Sequence, residues 1–401
     1  MEGSLVERVG SASPFPQLTS AHLLLPSDAY ELARSRAWVE VDRQALHHNL
    51  KVLRQQLRAD TQIWAVVKAN AYGHGVQIIA PTAIAAGAEG VCVATLAEGM
   101  ELRQQGLTAS ILVLGALNTE LEVKLALSSQ LDLTLTDAGQ IPLLQAVGSR
   151  HPTPIPLHLN VDTGMTRLGV PWQQAAAIWQ DLLQIPEFAC RSLYSHLATA
   201  DEVDTQVVEL QEQRFQTVIE DLQARGLGIP VLHVDNSAGA LASRRRHHQR
   251  VRLGLVLYGL APASHLHLED LRPLLQIKAR ITHLQWVEAG TGVSYGHRYL
   301  TPQAARIATV AIGYADGIPR RLSGWLQGYL HGQKIQQVGT ITMDQCMWDV
   351  TPLKQVAVGD VVELFGADLT PQHWADHLGT IAYEILCGFS ARLPRLEKAS
   401  G

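Results

Sequence analysis

Lys68 is the residue of this sequence best placed for covalent chemistry. It follows the apolar run at residues 63–67 and precedes the stretch ANAYGHG at residues 69–75. A lysine in such a place is commonly a surface residue whose aliphatic stem covers apolar area. Alternatively, partial burial keeps its amine neutral, so that the amine can attack a carbonyl and form a Schiff base. Lys68 taken alone leaves both interpretations open.

Several other polar residues lie at the ends of later apolar runs, as Lys68 does. Each has a structural explanation of its own, such as a turn, a surface cation or a histidine bonded to the backbone. Together they would surround one opening with cations and small polar groups, which favours a binding site. These residues are Asp162, Arg167, His196, Asn236, Ser237 and Arg252.

The elements that must position these residues form a repeating pattern. Eight nearly continuous apolar runs alternate with amphipathic helical stretches, which is typical of a parallel sheet buried on both faces. Eight such units within about 200–250 residues predict a (β/α)8 TIM-like barrel, whose functional residues lie at the carboxyl ends of the strands. An open doubly wound sheet is less favoured, because no G-x-G-x-x-G sequence follows the first run. The runs are residues 63–67, 91–94, 111–114, 131–135, 157–161, 193–196, 231–234 and 253–257.

One part of this opening is suited to a phosphate group. Ser237 follows the seventh run, and the amides of Gly254 and Leu255 belong to the eighth. Barrels of this type often bind phosphate at the loops after these two strands, where backbone amides converge.

The pattern changes after residue 272. Segments such as 277–281, 307–312 and 361–365 are typical of half-buried strands joined by short turns. We therefore predict a loosely ordered extension at residues 1–36, an α/β barrel at 37–272 and a mostly β domain at 273–401. Residues 38–41 have no helix before them, and we expect them to pair with the second domain.

Composition and charge exclude several classes of function. The formal net charge of the 401 residues is −5 and the one dense basic run is short, so no nucleic-acid partner is expected. The four cysteines are scattered without metal-ligand spacing, which predicts neither disulfides nor a metal site. No segment approaches the ~20 apolar residues of a membrane span, and no signal peptide is visible, so we expect a cytoplasmic protein that binds no membrane.

An ordered series of motifs resembles the alanine racemase family. The segment VVKANAYGHG at residues 66–75 is similar to the motif that attaches pyridoxal 5'-phosphate (PLP) in that family. The similarity covers about residues 37–395 and is specific because the motifs occur in the same order and spacing. The others are DTGMTRLG (162–169), YSHLATA (194–200), VRLG (251–254), VSYG (293–296), IGYADG (312–317) and ITMDQCM (341–347).

The resemblance implies catalytic roles for individual residues. Lys68 would bind the cofactor covalently and act as the base on the D-alanine face. Tyr295 of the partner subunit would be the base on the L-alanine face. Two bases on opposite faces suit a racemase, because a planar carbanion must be reprotonated from the side opposite the departing proton. Arg167 and the backbone of Met343 would bind the substrate carboxylate.

The resemblance also implies the cofactor site and the assembly. Arg252 would face the pyridine nitrogen, leave it unprotonated and so limit side reactions, and His196 would help to connect it to Tyr295. A homodimer with shared active sites and a supply of D-alanine for cell-wall peptidoglycan are further expectations. The residues implied in cofactor binding are Lys68, Tyr72, His196, Asn236, Ser237, Arg252, Gly254, Leu255 and Tyr314.

Two positions depart from the family pattern. Many members have a carbamylated lysine where this chain has Asn160, and we expect a small anion such as chloride to replace its negative charge beside Arg167. Some members have a tyrosine where this chain has Ala391, and the smaller residue suggests that serine is also accepted.

Other functions fit these motifs less well. PLP-dependent decarboxylases of ornithine, lysine or diaminopimelate resemble the predicted architecture but lack the VSYG and MDQCM motifs. A non-catalytic PLP-binding barrel has no second domain, and a lysine-dependent aldolase needs no phosphate pocket. The series of motifs therefore favours an amino acid racemase.

Overall fold

The computed structural model describes residues 31–242, 248–266, 268–366 and 368–399. Most of the predicted extension at residues 1–36 therefore lies outside the described residues, as does most of the basic run at 244–248. Among the described residues, no helix has the length and apolar character needed to cross a membrane.

Strands and helices alternate through the first two thirds of the chain, and strands predominate afterwards. The strands are β1 (Ala37–Val41), β2 (Gln62–Val66), β3 (Gly90–Val93), β4 (Ser110–Val113), β5 (Asp132–Leu135), β6 (Ile155–Asp162), β7 (Val170–Pro171), β8 (Phe188–Tyr194), β9 (Val231–His233), β10 (Arg250–Leu253), β11 (Leu275–Val287), β12 (Gly292–Val293), β13 (Tyr299–Leu300), β14 (Ala305–Val310), β15 (Gln327–Leu330), β16 (Gln333–Val338), β17 (Cys346–Asp349), β18 (Val361–Glu363) and β19 (Arg395–Glu397). The helices are α1 (Arg43–Gln56), α2 (Lys68–Tyr72), α3 (Val76–Ala85), α4 (Leu96–Gln104), α5 (Glu120–Ser128), α6 (Ile141–Gly148), α7 (Ala175–Leu182), α8 (Gln206–Ala224), α9 (Ser237–Ala242), α10 (Pro371–Leu378) and α11 (Ala382–Cys387).

Eight parallel strands form the predicted barrel. They are hydrogen-bonded in the order β10-β2-β3-β4-β5-β6-β8-β9. The barrel closes between β9 and β10, the two ends of this order. There the amide of Arg252 in β10 donates to the carbonyl oxygen of Asp235, just after β9, over 3.0 Å. The apolar runs form strands because both of their faces are covered, by the barrel interior and by the outer helices. The predicted fold class is confirmed.

Threonines fix two of the turns at the carboxyl ends of the strands. Thr95 and Thr119 begin helices α4 and α5, and each accepts a hydrogen bond from the amide of a glutamate three residues later. Each glutamate, Glu98 or Glu122, accepts a bond from the threonine amide in return. These reciprocal bonds satisfy the free amides of the first helical turn, so the strand-to-helix turns next to the site are fixed locally.

The position predicted for the eighth strand is wrong. The strand is β10, which ends at Leu253, whereas Leu255–Tyr258 is a 3-10 helix. Gly254 interrupts the extended backbone with φ −118° and ψ −97°. The apolar residues after it are buried under the mouth of the barrel, and burial alone does not require a strand. Arg252 consequently lies within the strand instead of beginning it.

The second domain is built on an eight-stranded sheet in the order β14-β17-β16-β15-β18-β11-β1-β19. The long strand β11 also pairs with β14, which closes part of this sheet on itself. Strand β1 pairs antiparallel with β11, from Ala37 opposite Ala279 to Val41 opposite Leu275. The expectation that the segment at 38–41 belongs with the second domain is therefore confirmed.

The two domains share one continuous apolar core, and a helix of the second domain packs at the mouth of the barrel. Helix α11 lies against α2, the turn that begins with Lys68. A Cβ atom at Gly73 would lie 2.2 Å from the carbonyl oxygen of Leu386 in α11, and Gly73 has φ +77°. Only glycine permits both this close approach and this backbone conformation.

Candidate active site

A cavity of about 740 Å³ opens at the carboxyl ends of the barrel strands. Most of the residues around it come from the barrel, but Ile381, Tyr383 and Cys387 come from the second domain. Eight residues that the sequence analysis selected line this cavity. They are Lys68, Tyr72, Arg167, His196, Asn236, Ser237, Arg252 and Gly254.

Lys68 begins a turn with an unusual backbone. Four consecutive non-glycine residues, from Ala69 to Tyr72, have φ between +51° and +54°, in the left-handed region. Such residues cost roughly 1–2 kcal/mol each, so the turn needs support from its surroundings. Glu98 accepts from the amide of Ala69 over 2.7 Å, and Asn70 Oδ1 accepts from the amide of Val76 over 2.7 Å. Strain of this kind is typical of functional sites.

The surroundings of Lys68 favour its nucleophilic form. Burial lowers the pKa of the Lys68 amine, and the positive charge of Arg167 lowers it further, against a smaller opposing effect of Glu98. A lower pKa increases the fraction of neutral amine at a given pH, and the neutral amine is the form that attacks carbonyls.

Tyr72, Ser237 and Gly254 form a small polar cradle at one side of the cavity. The amide of Gly254 donates to Ser237 Oγ over 2.9 Å, which leaves the hydroxyl proton of Ser237 available to a ligand. A Cβ atom at Gly254 would lie 2.6 Å from the hydroxyl oxygen of Tyr72, so the cradle requires glycine. Leu255 is buried directly behind Gly254 and does not line the cavity. Hydroxyl groups and backbone amides that approach a ligand closely are the groups that bind phosphate.

Arg252 is buried at the base of the cavity, and its orientation is fixed by several acceptors. Its Nη2 donates to the carbonyl oxygen of Ser195 over 2.7 Å and to Nδ1 of His196 over 3.2 Å. Its Nη1 donates to Nδ1 of His233 over 2.6 Å. The guanidinium carbon also lies 5.0 Å from the ring centre of Tyr194. These contacts hold a cation in a mostly apolar interior.

His196 is neutral in this arrangement. Burial lowers its pKa to about 3, and the charges of Arg252 and Arg167 add to this effect. Because Nδ1 accepts from Arg252, the single proton of the neutral ring is on Nε2. The histidine can therefore donate to a partner from Nε2.

Five residues selected from the sequence do not line the cavity of the same chain. Two of them, Asp162 at the end of β6 and the buried Leu255, belong to the barrel, and the other three belong to the second domain. Tyr295, Tyr314 and Met343 are exposed side chains of the second domain, with 73%, 42% and 52% of their surface accessible. They belong to one connected set of loops, because the amide of Ala315 donates to Met343 and Thr340 donates to the carbonyl of Tyr295.

The two departures from the family pattern lie in different places. Asn160, near the end of β6, lines the cavity together with Arg167. Ala391 is exposed and borders a neighbouring cleft of about 450 Å³, next to Gly75 and Arg395. The expectations about chloride and serine that rest on these two residues remain predictions.

Tyr383, Cys387 and His233 are residues of this region that the sequence analysis did not select. The ring of Tyr383 lies 5.7 Å from that of Tyr72, and burial raises its pKa to about 12, so it stays a hydroxyl donor. Nothing local marks Tyr383 or Cys387, because the packing of α11 on the barrel brings them to the cavity. His233 gave one signal, a polar residue inside the apolar run at 231–234.

His74 supports the turn after Lys68 and gives a prediction for the pH dependence of stability. Its Nδ1 lies 2.9 Å from the carbonyl oxygen of Tyr72 and 3.0 Å from that of Ala71, so Nδ1 carries the proton. Burial lowers the pKa of His74 to about 4. The unfolded chain binds this proton near pH 6.5, so stability decreases as the pH falls from about 6.5 to about 4, by about 3 kcal/mol in all.

Replacing His74 with asparagine should remove this contribution. The free energy of unfolding, measured by urea denaturation between pH 7 and pH 4, should fall less steeply with decreasing pH, by about 1.4 kcal/mol per pH unit within that window. Ile79→Val, a buried change in helix α3, should lower stability without altering the slope. An unchanged slope in His74→Asn would contradict the account of this histidine.

Comparison with known proteins adds to this geometry. Residues 41–262 match the family described as alanine racemase, N-terminal domain, and residues 274–397 match alanine racemase, C-terminal domain. An alanine racemase of Nostoc sp. is 46% identical over 378 residues, which are 92% of this chain and 97% of that protein. An alanine racemase of Synechocystis sp. is also 46% identical, over 91% of this chain and 100% of that protein.

Solved structures give the same similarity. The alanine racemase from E. faecalis superimposes with a TM-score of 0.83 and 35% identity, over 90% of this chain and 98% of that one. The alanine racemase from Bacillus anthracis, solved with bound L-Ala-P, gives a TM-score of 0.82 and 34% identity, over 89% and 94% of the two chains. The similarity thus extends through both domains.

Proposed function

The chain belongs to the alanine racemase family, and from this premise we propose that it interconverts L- and D-alanine with PLP and two bases. Lys68 is the base on the D-alanine face, and Tyr295 of the partner subunit is the base on the L-alanine face. The single observation that supports this most strongly is the partly buried Lys68, whose amine has a lowered pKa at a cavity that also contains a phosphate cradle and a buried arginine.

The residues around the cavity fit PLP. Lys68 would supply an amine for the aldehyde, and the cradle at Gly254 would supply Ser237 and Tyr72 for the phosphate. Asn236, the amide of Leu255 and Tyr314 of the partner subunit would complete this end of the site. Arg252 would face the ring nitrogen of the bound cofactor, and His196 would support Arg252 through the hydrogen bond between them. When bound there, the cofactor withdraws electrons from the substrate Cα and makes its hydrogen acidic.

The protein residues then move one proton on each face of the substrate. Arg167 and the backbone of the partner subunit's Met343 hold the carboxylate and so fix the face on which the Cα hydrogen of each enantiomer meets its base. The Lys68 amine takes or returns the proton at Nζ, and the hydroxyl oxygen of Tyr295 does the same on the other face. Placement of both groups in advance lowers the entropic part of the barrier.

The shared site requires a homodimer. Tyr295, Tyr314 and Met343 are exposed in the single chain and lie outside its own cavity. A twofold dimer would bring these residues of each subunit to the cavity of the other. We further propose that the enzyme acts in the cytoplasm, where its D-alanine is used for cell-wall peptidoglycan.

Chiral chromatography tests the reaction. Purified protein incubated with either L- or D-alanine should approach an equal mixture of the two, faster with added PLP if the cofactor is partly lost in purification. Parallel incubations with L-serine test the expectation from Ala391. Racemisation of serine without alanine would overturn the substrate, and no change of any amino acid with PLP present would overturn the function.

A further inference from the structure

A chain of five polar side chains crosses the barrel interior from Arg252. Nη1 of Arg252 lies 2.6 Å from Nδ1 of His233, and Nε2 of His233 lies 2.8 Å from Oγ of Ser192. The same hydroxyl lies 2.5 Å from Nδ1 of His158, whose Nε2 lies 3.3 Å from Oδ2 of Asp132. The five residues come from five neighbouring strands, β10, β9, β8, β6 and β5.

This series of hydrogen-bonded side chains connects opposite ends of the barrel. Arg252 is at the cavity, whereas Asp132 is the first residue of β5 and so lies at the amino end of its strand. The three residues between them are almost completely buried. Barrel interiors are ordinarily filled with branched apolar side chains, so a continuous polar chain is an exception that calls for a reason.

Donor and acceptor roles can be assigned to every member of the chain. Arg252 can only donate, so Nδ1 of His233 accepts and the proton of this ring is on Nε2. His233 then donates to Ser192, and Ser192 donates to Nδ1 of His158. The proton of His158 is therefore on Nε2, from which it donates to the carboxylate of Asp132. All four hydrogen bonds run in one direction, from a guanidinium to a carboxylate.

This assignment needs both histidines to be neutral, and their surroundings provide that. Burial holds the pKa of His233 well below its usual value, and the charges of Arg252 and Arg250 lower it further. Burial also lowers the pKa of His158, and this effect outweighs the opposing effect of the hydrogen bond that His158 donates to Asp132. The contact between His158 and Asp132 is accordingly a hydrogen bond to a carboxylate and not an ion pair.

We propose that Asp132 is a positioning residue for Arg252 and acts through His158, Ser192 and His233. The series of hydrogen bonds from Asp132 to Arg252 is called the relay below. The role of Arg252 at the cofactor ring rests on the proposed function, but the existence of the relay does not. Because hydrogen bonds in such a chain polarise one another, the carboxylate orients the guanidinium without standing beside the cofactor ring. A carboxylate beside the ring nitrogen of a bound cofactor would stabilise the protonated form of that nitrogen, whereas the cation of Arg252 would not.

The proton positions can be measured directly. In protein labelled with ¹⁵N-histidine, the protonated and unprotonated ring nitrogens have well separated chemical shifts, and signals are assigned by replacing single histidines. We expect His158 and His233 to be neutral, with the proton on Nε2, at pH 7. A proton on Nδ1 of either ring, or a charged ring, would overturn the proposal. This measurement uses the unaltered chain and needs no catalytic activity.

A double-mutant cycle separates a relay from general packing or charge effects. Asp132→Asn keeps the shape of the side chain but removes its negative charge, so it weakens the hydrogen bond from Nε2 of His158. We expect this change to shift the ¹⁵N signals of both histidines. In a Ser192→Ala background the same change should no longer affect His233, because the connecting hydroxyl is absent. An equal effect on His233 in both backgrounds would overturn the proposal.

Glu89→Gln is the matched control. It removes a carboxylate that lies just before β3, two strands away from β5 in the barrel, and that accepts hydrogen bonds from the amide of Ile63 and from Arg54. Glu89 does not belong to the series of five polar side chains. It should leave His233 unchanged. With alanine as substrate, Asp132→Asn should lower kcat by about 10-fold, as loss of a supporting hydrogen bond typically does. If the protein proves inactive, the ¹⁵N results still decide between a relay and simple packing.

Discussion

Lys68→Ala is expected to lower racemisation of alanine by about 10⁴-fold or more and to abolish covalent attachment of PLP. Lys68 is the partly buried amine at the cavity, and it has two functions in the proposed reaction, as the attachment point and as one base. A loss of this size corresponds to about 5 kcal/mol of transition-state stabilisation. Alanine leaves room at this position for a small amine, so added methylamine should restore part of the activity.

Borohydride reduction and mass spectrometry measure the attachment, and chiral chromatography measures the rate. The unaltered protein should gain the mass of the reduced cofactor on the peptide that contains Lys68, whereas Lys68→Ala should not. Lys124→Ala is a suitable control, because Lys124 is an exposed lysine of α5 paired with Glu120 over 2.8 Å. More than a tenth of the normal activity in Lys68→Ala would exclude Lys68 as the catalytic base.

Tyr295→Phe is expected to slow racemisation by about 10²–10⁴-fold, the usual contribution of a positioned proton donor and acceptor. The loss should also be asymmetric. Without the Tyr295 hydroxyl, the α-hydrogen of L-alanine should no longer exchange with solvent deuterium. The α-hydrogen of D-alanine should still exchange, because Lys68 serves that face.

Proton NMR in deuterium oxide follows this exchange for each enantiomer separately. Tyr299→Phe is the control, because Tyr299 begins β13 only four residues further along the chain. It should change neither rate. Equal loss of exchange for L- and D-alanine in Tyr295→Phe would show that the two faces do not have separate bases.

The barrel could be predicted from the sequence because burial on both faces leaves a direct signal, the near-continuous apolar run. The same signal misplaced the eighth strand. Residues 255–257 are as apolar as a strand, but Gly254 turns the backbone and they are buried in a 3-10 helix. The hydrophobicity of residues 255–257 indicates only that they are buried. Their backbone conformation depends on the preceding Gly254.

The cavity was partly predictable for a similar reason. Lys68 and Ser237 follow apolar runs directly, so their position at the carboxyl ends of strands could be inferred from local sequence. Tyr383 reaches the cavity only because helix α11 packs on the turn after Lys68, a contact between residues more than 300 positions apart in sequence. His233 and Asp132 are connected through side chains of other strands, and no local pattern contains that connection.

Subunit mixing tests the central claim most directly, that each active site combines Lys68 of one subunit with Tyr295 of the other. Lys68→Ala and Tyr295→Phe protein would be mixed under conditions that exchange subunits, with native mass spectrometry to confirm the mixed dimers. Each mixed dimer would contain one site with both bases, so an equal mixture should regain about a quarter of the unaltered activity. If mixed dimers form and activity stays at the sum of the two separate variants, the two bases do not belong to different subunits.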